Sequence, residues 1–148
     1  MSPPDLMEQA HHVDLAVHPI APLLARRLVE RVLAKWDMRE LEIIAALVMT
    51  ELVTNAVNEM GGDMSAFTHE GEISANQWRI RAGLYRTRDA VVIEVWDASC
   101  KPPRLTSASV DDEGGRGLRI IDEIAEAWGY RWVAPGGKVV WARLSIDS

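Results

Sequence analysis

Three short stretches of the chain hold residue types whose spacing could do chemistry. In TELVTNAVNE, Thr50 to Glu59, Glu51 and Asn55 stand one helical turn apart, and Asn58 and Glu59 continue the line. An amide oxygen can ligate Mg²⁺ and a carboxylate one turn away can take a proton from an attacking hydroxyl, so the pair suits metal-phosphate chemistry. Asp97 ends the run VVIEVWD, a position from which a carboxylate can accept a hydrogen bond from an exocyclic amine such as that of adenine. In EGGRGL, Glu113 to Leu118, the glycines Gly114, Gly115 and Gly117 permit turns closed to other residues. Their amides would point toward an anion at a helix N-terminus. Each stretch also has a plainer reading: a solvated helix stripe, a turn-forming Asp, and a glycine hinge without a ligand.

Other candidates weigh less. His11, His12, His18 and His69 show no ligand spacing with a second cluster. Cys100 has no positioned His, and Ser99 lacks the GxSxG elbow of a hydrolase nucleophile. No third Gly completes GxGxxG, and Lys138, followed by Val139, lacks the spacing of a Walker A loop. The Trp residues are scattered, and Trp36, Trp128 and Trp141 suit core positions better than a base-stacking platform.

The elements that must position these groups follow from periodicity. After a lead-in over residues 1–12, the alternation Val13 to Val17 predicts an edge strand. From Pro22 to Trp36, apolar Leu24, Leu28, Val32 and Trp36 recur every four positions opposite Arg26, Arg27, Glu30, Arg31 and Lys35, an amphipathic helix. A second helix, Arg39 to Met60, is apolar almost all round, which predicts that it is covered nearly all round. Gly61 to Asn76 reads as a loop. Gln77 to Tyr85 and Ala90 to Trp96 read as a hairpin turning over Arg86 to Asp89. Asp97 to Gly114 is irregular, and Leu118, Ile121, Ala125 and Trp128 predict a helix stopped by Gly129. Tyr130 to Val133, the turn APGG and Lys138 to Ile146 predict a closing hairpin. The expected fold is α/β: a two-layer sandwich whose mixed, mainly antiparallel sheet is covered by three helices, in a single domain over 13–148.

Composition bounds the function. At 148 residues and 48% hydrophobic, the chain has room for one core and no second domain. The net charge of −6 repels a phosphate backbone, which disfavours direct nucleic-acid binding. No apolar run approaches a membrane span, and the opening residues lack the basic and apolar parts of a signal peptide. With a single cysteine, Cys100, the chain reads as a soluble cytoplasmic protein.

Taken in order, TELVTNAVNE on a helix, VIEVWDAS ending a strand, EGGRGL opening a helix and GGKVVWARL on the last strand resemble the N, G1 and G2 boxes of the GHKL ATP-binding fold. The resemblance spans Val13 to Leu144 and is nearest to the small serine/threonine kinases that act as anti-sigma factors in bacterial partner switching. It implies a Bergerat-type sandwich that binds ATP and Mg²⁺ under a lid over about Cys100 to Gly114. By the same resemblance Glu51 matches the general base, Asn55 the Mg²⁺ ligand and Asp97 the adenine-reading carboxylate. Gly115 and Gly117, with Arg116 between them and Leu118 after them, match the lid hinge that meets the phosphates. The implied partners are a sigma factor and a STAS-domain anti-anti-sigma protein, with a homodimer expected; the alternative is an ATP-binding regulatory module that captures a partner without transfer. Three departures from the resembled pattern stand out. Glu59 takes a place where many such kinases have His, the loop from Gly61 to Asn76 is longer, and Cys100 and Lys101 replace a proline-rich lid start, although Pro102 and Pro103 remain.

Overall fold

The computed structural model describes residues 10–61, 79–103, 116–134 and 136–146. Strand β1 (His11–Ala16) is followed by α1 (Ala21–Lys35), a 3₁₀ turn (Arg39–Leu41) and α2 (Glu42–Gly61). Then come β2 (Arg79–Arg86), β3 (Ala90–Asp97), α3 (Arg116–Ile124), β4 (Ala127–Trp132) and β5 (Lys138–Ser145).

Helix α1 buries Ala21, Ala25, Leu28, Val29, Val32 and Leu33, with Pro22 in its first turn where a missing N–H costs nothing. It ends in a left-handed residue, Asp37 at φ 60°. The Met38 N–H reaches back to Leu33 O (2.8 Å) and the Asp37 N–H to Ala34 O (3.1 Å), which satisfies terminal carbonyls and buries Met38.

The five strands lie in the order β1-β2-β3-β5-β4, and all four pairings are antiparallel. Side chains alternate across a strand, so Ile80, Ala82 and Leu84, then Val91, Ile93 and Val95, then Val140, Ala142 and Leu144 share one face and form the core with the helices. Helix α2 packs against α1, α3 and strands β2, β3 and β5, which is why it is apolar on several sides at once. Truncating one of its fully buried side chains, Met49 or Leu52, to Ala costs about 2–5 kcal/mol by the usual cavity penalty. This is the two-layer α/β sandwich expected from the sequence, with three α-helices over one sheet among the described residues.

Several boundaries differ. His11 and His12, assigned to the lead-in, belong to β1, where they pair with Leu84 and Gly83. Helix α2 is not covered all round, since Ile43 is 83% exposed and Ile44 and Leu47 are exposed beside it. The third helix stops at Ile124 instead of Gly129: the Ala125 N–H closes the last turn on Ile121 O (2.8 Å) and the Glu126 N–H already bonds Arg143 O (2.9 Å). Gly129 is therefore no cap; it sits in β4 opposite Trp141, whose indole lies 3.0 Å from where a Cβ would stand. Trp36 and Trp128 pack on the core as expected. Trp141 points the other way, because it alternates with core-facing Val140 and Ala142. Most of the expected 61–76 loop and of the 100–114 lid lies outside the described residues, as does Gly115.

Candidate functional site

Helical spacing of four puts Glu51, Asn55 and Glu59 on one stripe of α2. The stripe is half-buried, with Leu52, Val53, Ala56 and Met60 buried beside it. Asn55 donates from Nδ2 to Glu59 Oε2 (3.1 Å). A carboxylate only accepts, so the amide nitrogen must face Glu59 and the Asn55 carbonyl oxygen is turned away from it. Glu51 has no hydrogen-bond or ion-pair partner among the described residues. Burial pushes its carboxyl above the ordinary 4.5, as desolvation does to any carboxylate not offered a donor.

The sheet supplies the other wall. Asp97, last residue of β3, and Lys138, first residue of β5, are direct register partners. Asp97 is in phase with Val91, Ile93 and Val95, and Lys138 with Val140, Ala142 and Leu144, so both side chains turn to the helical layer. There Lys138 is fully buried and Asp97 is 1% exposed. Lys138 Nζ donates to Asp97 Oδ1 (2.9 Å) and to Glu59 Oε1 (2.8 Å), tying strand β3, strand β5 and the last turns of α2 together. Asp97 Oδ1 also accepts from the Ser99 N–H (2.9 Å). Asp97 Oδ2 has no partner among the described residues.

Burial raises the Asp97 carboxyl above its ordinary 3.8; the hydrogen bond and charge of Lys138 and the Ser99 N–H pull it back, and the Glu59 charge adds to the rise. Two buried carboxylates around one ammonium leave a net negative charge in the corner. Such a group is costly to bury unless its hydrogen bonds are met.

Arg116, Gly117 and Leu118 form the first turn of α3, which packs against α2. Free N–H groups of a helix start face outward along its axis and suit phosphate oxygens. Glu59 and Lys138 thus link Asn55 to Asp97, and Glu51 lies on the same stripe of α2. Among the described residues no group of three His, Cys, Asp or Glu side chains could hold a metal. Cys100 is exposed and free.

Lys138 is the residue that reading the sequence missed. Its sequence context excludes a phosphate-loop lysine, and its phase with Val140, Ala142 and Leu144 is the signal that places a charge on a core-facing strand position. Glu59, noted as a departure, is the partner that makes that burial tolerable.

Among the described residues Asp97 Oδ2, the Asn55 carbonyl oxygen and the Glu51 carboxylate have no hydrogen-bond partner, and each is an acceptor that could meet a ligand amine, cation or hydroxyl. The chain belongs to the histidine kinase-like ATPase domain family, whose model matches residues 19–144. It is a GHKL-type ATP-binding domain, and the α/β sandwich is the fold of that family. No curated protein matches the sequence. No helix among the described residues is long and apolar enough to cross a membrane.

Proposed function

We propose that the protein is a Mg-ATP-dependent serine/threonine protein kinase that phosphorylates a STAS-domain antagonist and captures a sigma factor. The observation that carries this reading is the α2 stripe, on which half-buried Glu51 stands one turn before Asn55, neither the Glu51 carboxylate nor the Asn55 carbonyl having a partner among the described residues. Bound Mg-ATP would supply the transferable phosphoryl group. Asp97 Oδ2 would accept from the adenine amine, and the Asn55 carbonyl oxygen would hold the cation, which would supply charge neutralisation to the phosphates. Glu51 would take the proton of the acceptor hydroxyl as that oxygen bonds to the γ-phosphorus and the bond to the β-phosphate oxygen breaks. Its raised pKa suits a base that must hold the proton it receives. Backbone N–H groups of Arg116, Gly117 and Leu118 would cradle the phosphates from the start of α3, with Gly115, outside the described residues, as the preceding hinge residue.

The protein partners find support in surface chemistry. Exposed Ile43 and Leu47 line a groove between α1 and α2 with Ala46, Arg26, Glu30 and Glu42, and exposed apolar side chains rimmed by charge mark protein contacts. Among the described residues edge strand β1 pairs on one side only, with β2, and a second copy could extend the other side into a homodimer.

Incubation with Mg-ATP and candidate STAS-domain proteins of the same genome, read by intact mass, tests the kinase reading. One added phosphoryl group on the partner is expected, absent with Glu51→Gln. A chain that binds Mg-ATP and transfers nothing to any candidate would overturn it in favour of an ATP-binding regulatory module. Sedimentation that shows a single species of monomer mass, with and without ATP, would remove the dimer.

A further inference from the structure

An ammonium carries three N–H donors, and Lys138 uses two of them, on Glu59 Oε1 and Asp97 Oδ1. The third has no protein acceptor among the described residues, although the side chain is fully buried. Beside it, Asp97 Oδ1 takes both Lys138 and the Ser99 N–H, which leaves Oδ2 as a buried acceptor without a donor among the described residues. Buried polar groups are nearly always paired. Here an unmet donor and an unmet acceptor stand side by side on register partners, in the same corner of the site.

We infer, on the reading of this corner as the base end of an ATP site, that Lys138 is a second specificity-determining residue: its free N–H donates to N1 of adenine while Asp97 Oδ2 accepts from the N6 amine. Adenine presents that pattern, an acceptor at N1 next to a donor at N6. Guanine in the same pose presents the reverse, with O6 set against a carboxylate and N1–H against an ammonium. Both contacts are then repulsive, and a donor-acceptor pair on the protein rejects guanine twice where a lone carboxylate rejects it once. Glu59 holds the ammonium in place as a positioning residue, because its carboxylate anchors Nζ from the helix side.

A purely structural role for Lys138 would hold the strands and α2 together without sensing one atom of the ligand. Equilibrium binding of Mg-ATP and Mg-1-deaza-ATP, in which N1 is replaced by C–H, separates the two. The wild type should bind ATP about tenfold or more tightly than the deaza analogue, a ratio of about 1.4 kcal/mol. In Lys138→Met, and in Lys138→Met with Glu59→Gln, which removes one of the two carboxylates left without the ammonium, that ratio should collapse toward one even if both affinities fall. The lysines are Lys35, Lys101 and Lys138, so the ¹⁵Nζ resonance of Lys138 can also be followed in the wild type, shifting with ATP and not with the analogue. Equal wild-type affinity for the two nucleotides, an unmoved Nζ resonance, or a ratio kept in either variant would overturn the role of Lys138 and leave ATP binding standing. A wild type that binds neither nucleotide would instead remove the ATP reading, and this inference with it.

Discussion

Lys138 Nζ lies 2.8 Å from Glu59 Oε1, an ion pair across 79 residues of sequence that joins the start of β5 to the end of α2. Both side chains are withdrawn from water, at 0% and 10% exposure. Removing one partner of a buried pair leaves an uncompensated charge, which typically costs about 3–5 kcal/mol. Lys138→Met should lower unfolding free energy by about that amount, because it strands two carboxylates, Glu59 and Asp97. Adding Glu59→Gln should restore part of the loss. Urea denaturation of the two variants checks this, and a double variant no more stable than Lys138→Met would contradict the pairing.

Gly137 sets the geometry of that lysine. It holds φ at +91° and precedes Lys138 directly, and a Cβ there would overlap Asp97 O and stand 2.7 Å from Trp96 Nε1. Trp96 Nε1 in turn donates to Gly136 O (3.1 Å), so the turn is pinned to the end of β3. Gly137→Ala should therefore cost at least about 1–2 kcal/mol from the left-handed backbone alone. It should also weaken ATP, because Asp97 and Lys138 are displaced together. Denaturation and nucleotide titration of the one variant should report both losses, and unchanged affinity in a destabilised protein would separate the turn from the site.

Local pattern reveals much of this fold. The four-residue recurrence of Leu28 and Val32 marks α1, and the alternation of Val91, Ile93 and Val95 marks β3. The end of α3 was not legible, because Ala125 and Trp128 fit a helical period and Gly129 looks like a stop. Pairing of Ala127–Trp132 with β5 overrides both. Glu51, Asn55 and Asp97 could be picked out because each lies in a short stretch with its own chemical logic. The Lys138 bridge could not, since its partners lie 41 and 79 residues away and only the closed sandwich brings them together.

Asp97→Asn tests the base end. The amide keeps the shape but loses the charge that faces Lys138, and it can turn either its oxygen or its nitrogen toward a ligand. ATP affinity should fall about tenfold or more, equivalent to about 1.4 kcal/mol. The preference for ATP over GTP should shrink with it, because the rotated amide can now donate to guanine O6. Titration of both nucleotides against wild type and variant gives the two ratios. A wild type that binds ATP and GTP equally would refute the assignment of Asp97.

Glu51→Gln separates chemistry from binding and carries a pH signature of its own. Burial raises the Glu51 pKa in the folded state above the ordinary 4.5, so between that value and the raised one the folded protein holds more proton than the unfolded chain. Stability from this group then falls as pH rises through that window, and the cost of the buried charge is fully present at neutral pH. The glutamine keeps the shape and carries no charge, so its urea midpoint at about pH 7 should equal or exceed that of the wild type, with the gap closing at about pH 4. ATP affinity should stay within about twofold, because the side chain meets the acceptor hydroxyl and not the nucleotide. Phosphoryl transfer should be lost. Transfer at the wild-type rate would remove the general-base role, whereas a variant less stable than the wild type at neutral pH would show that the Glu51 charge is met by a partner in the folded protein.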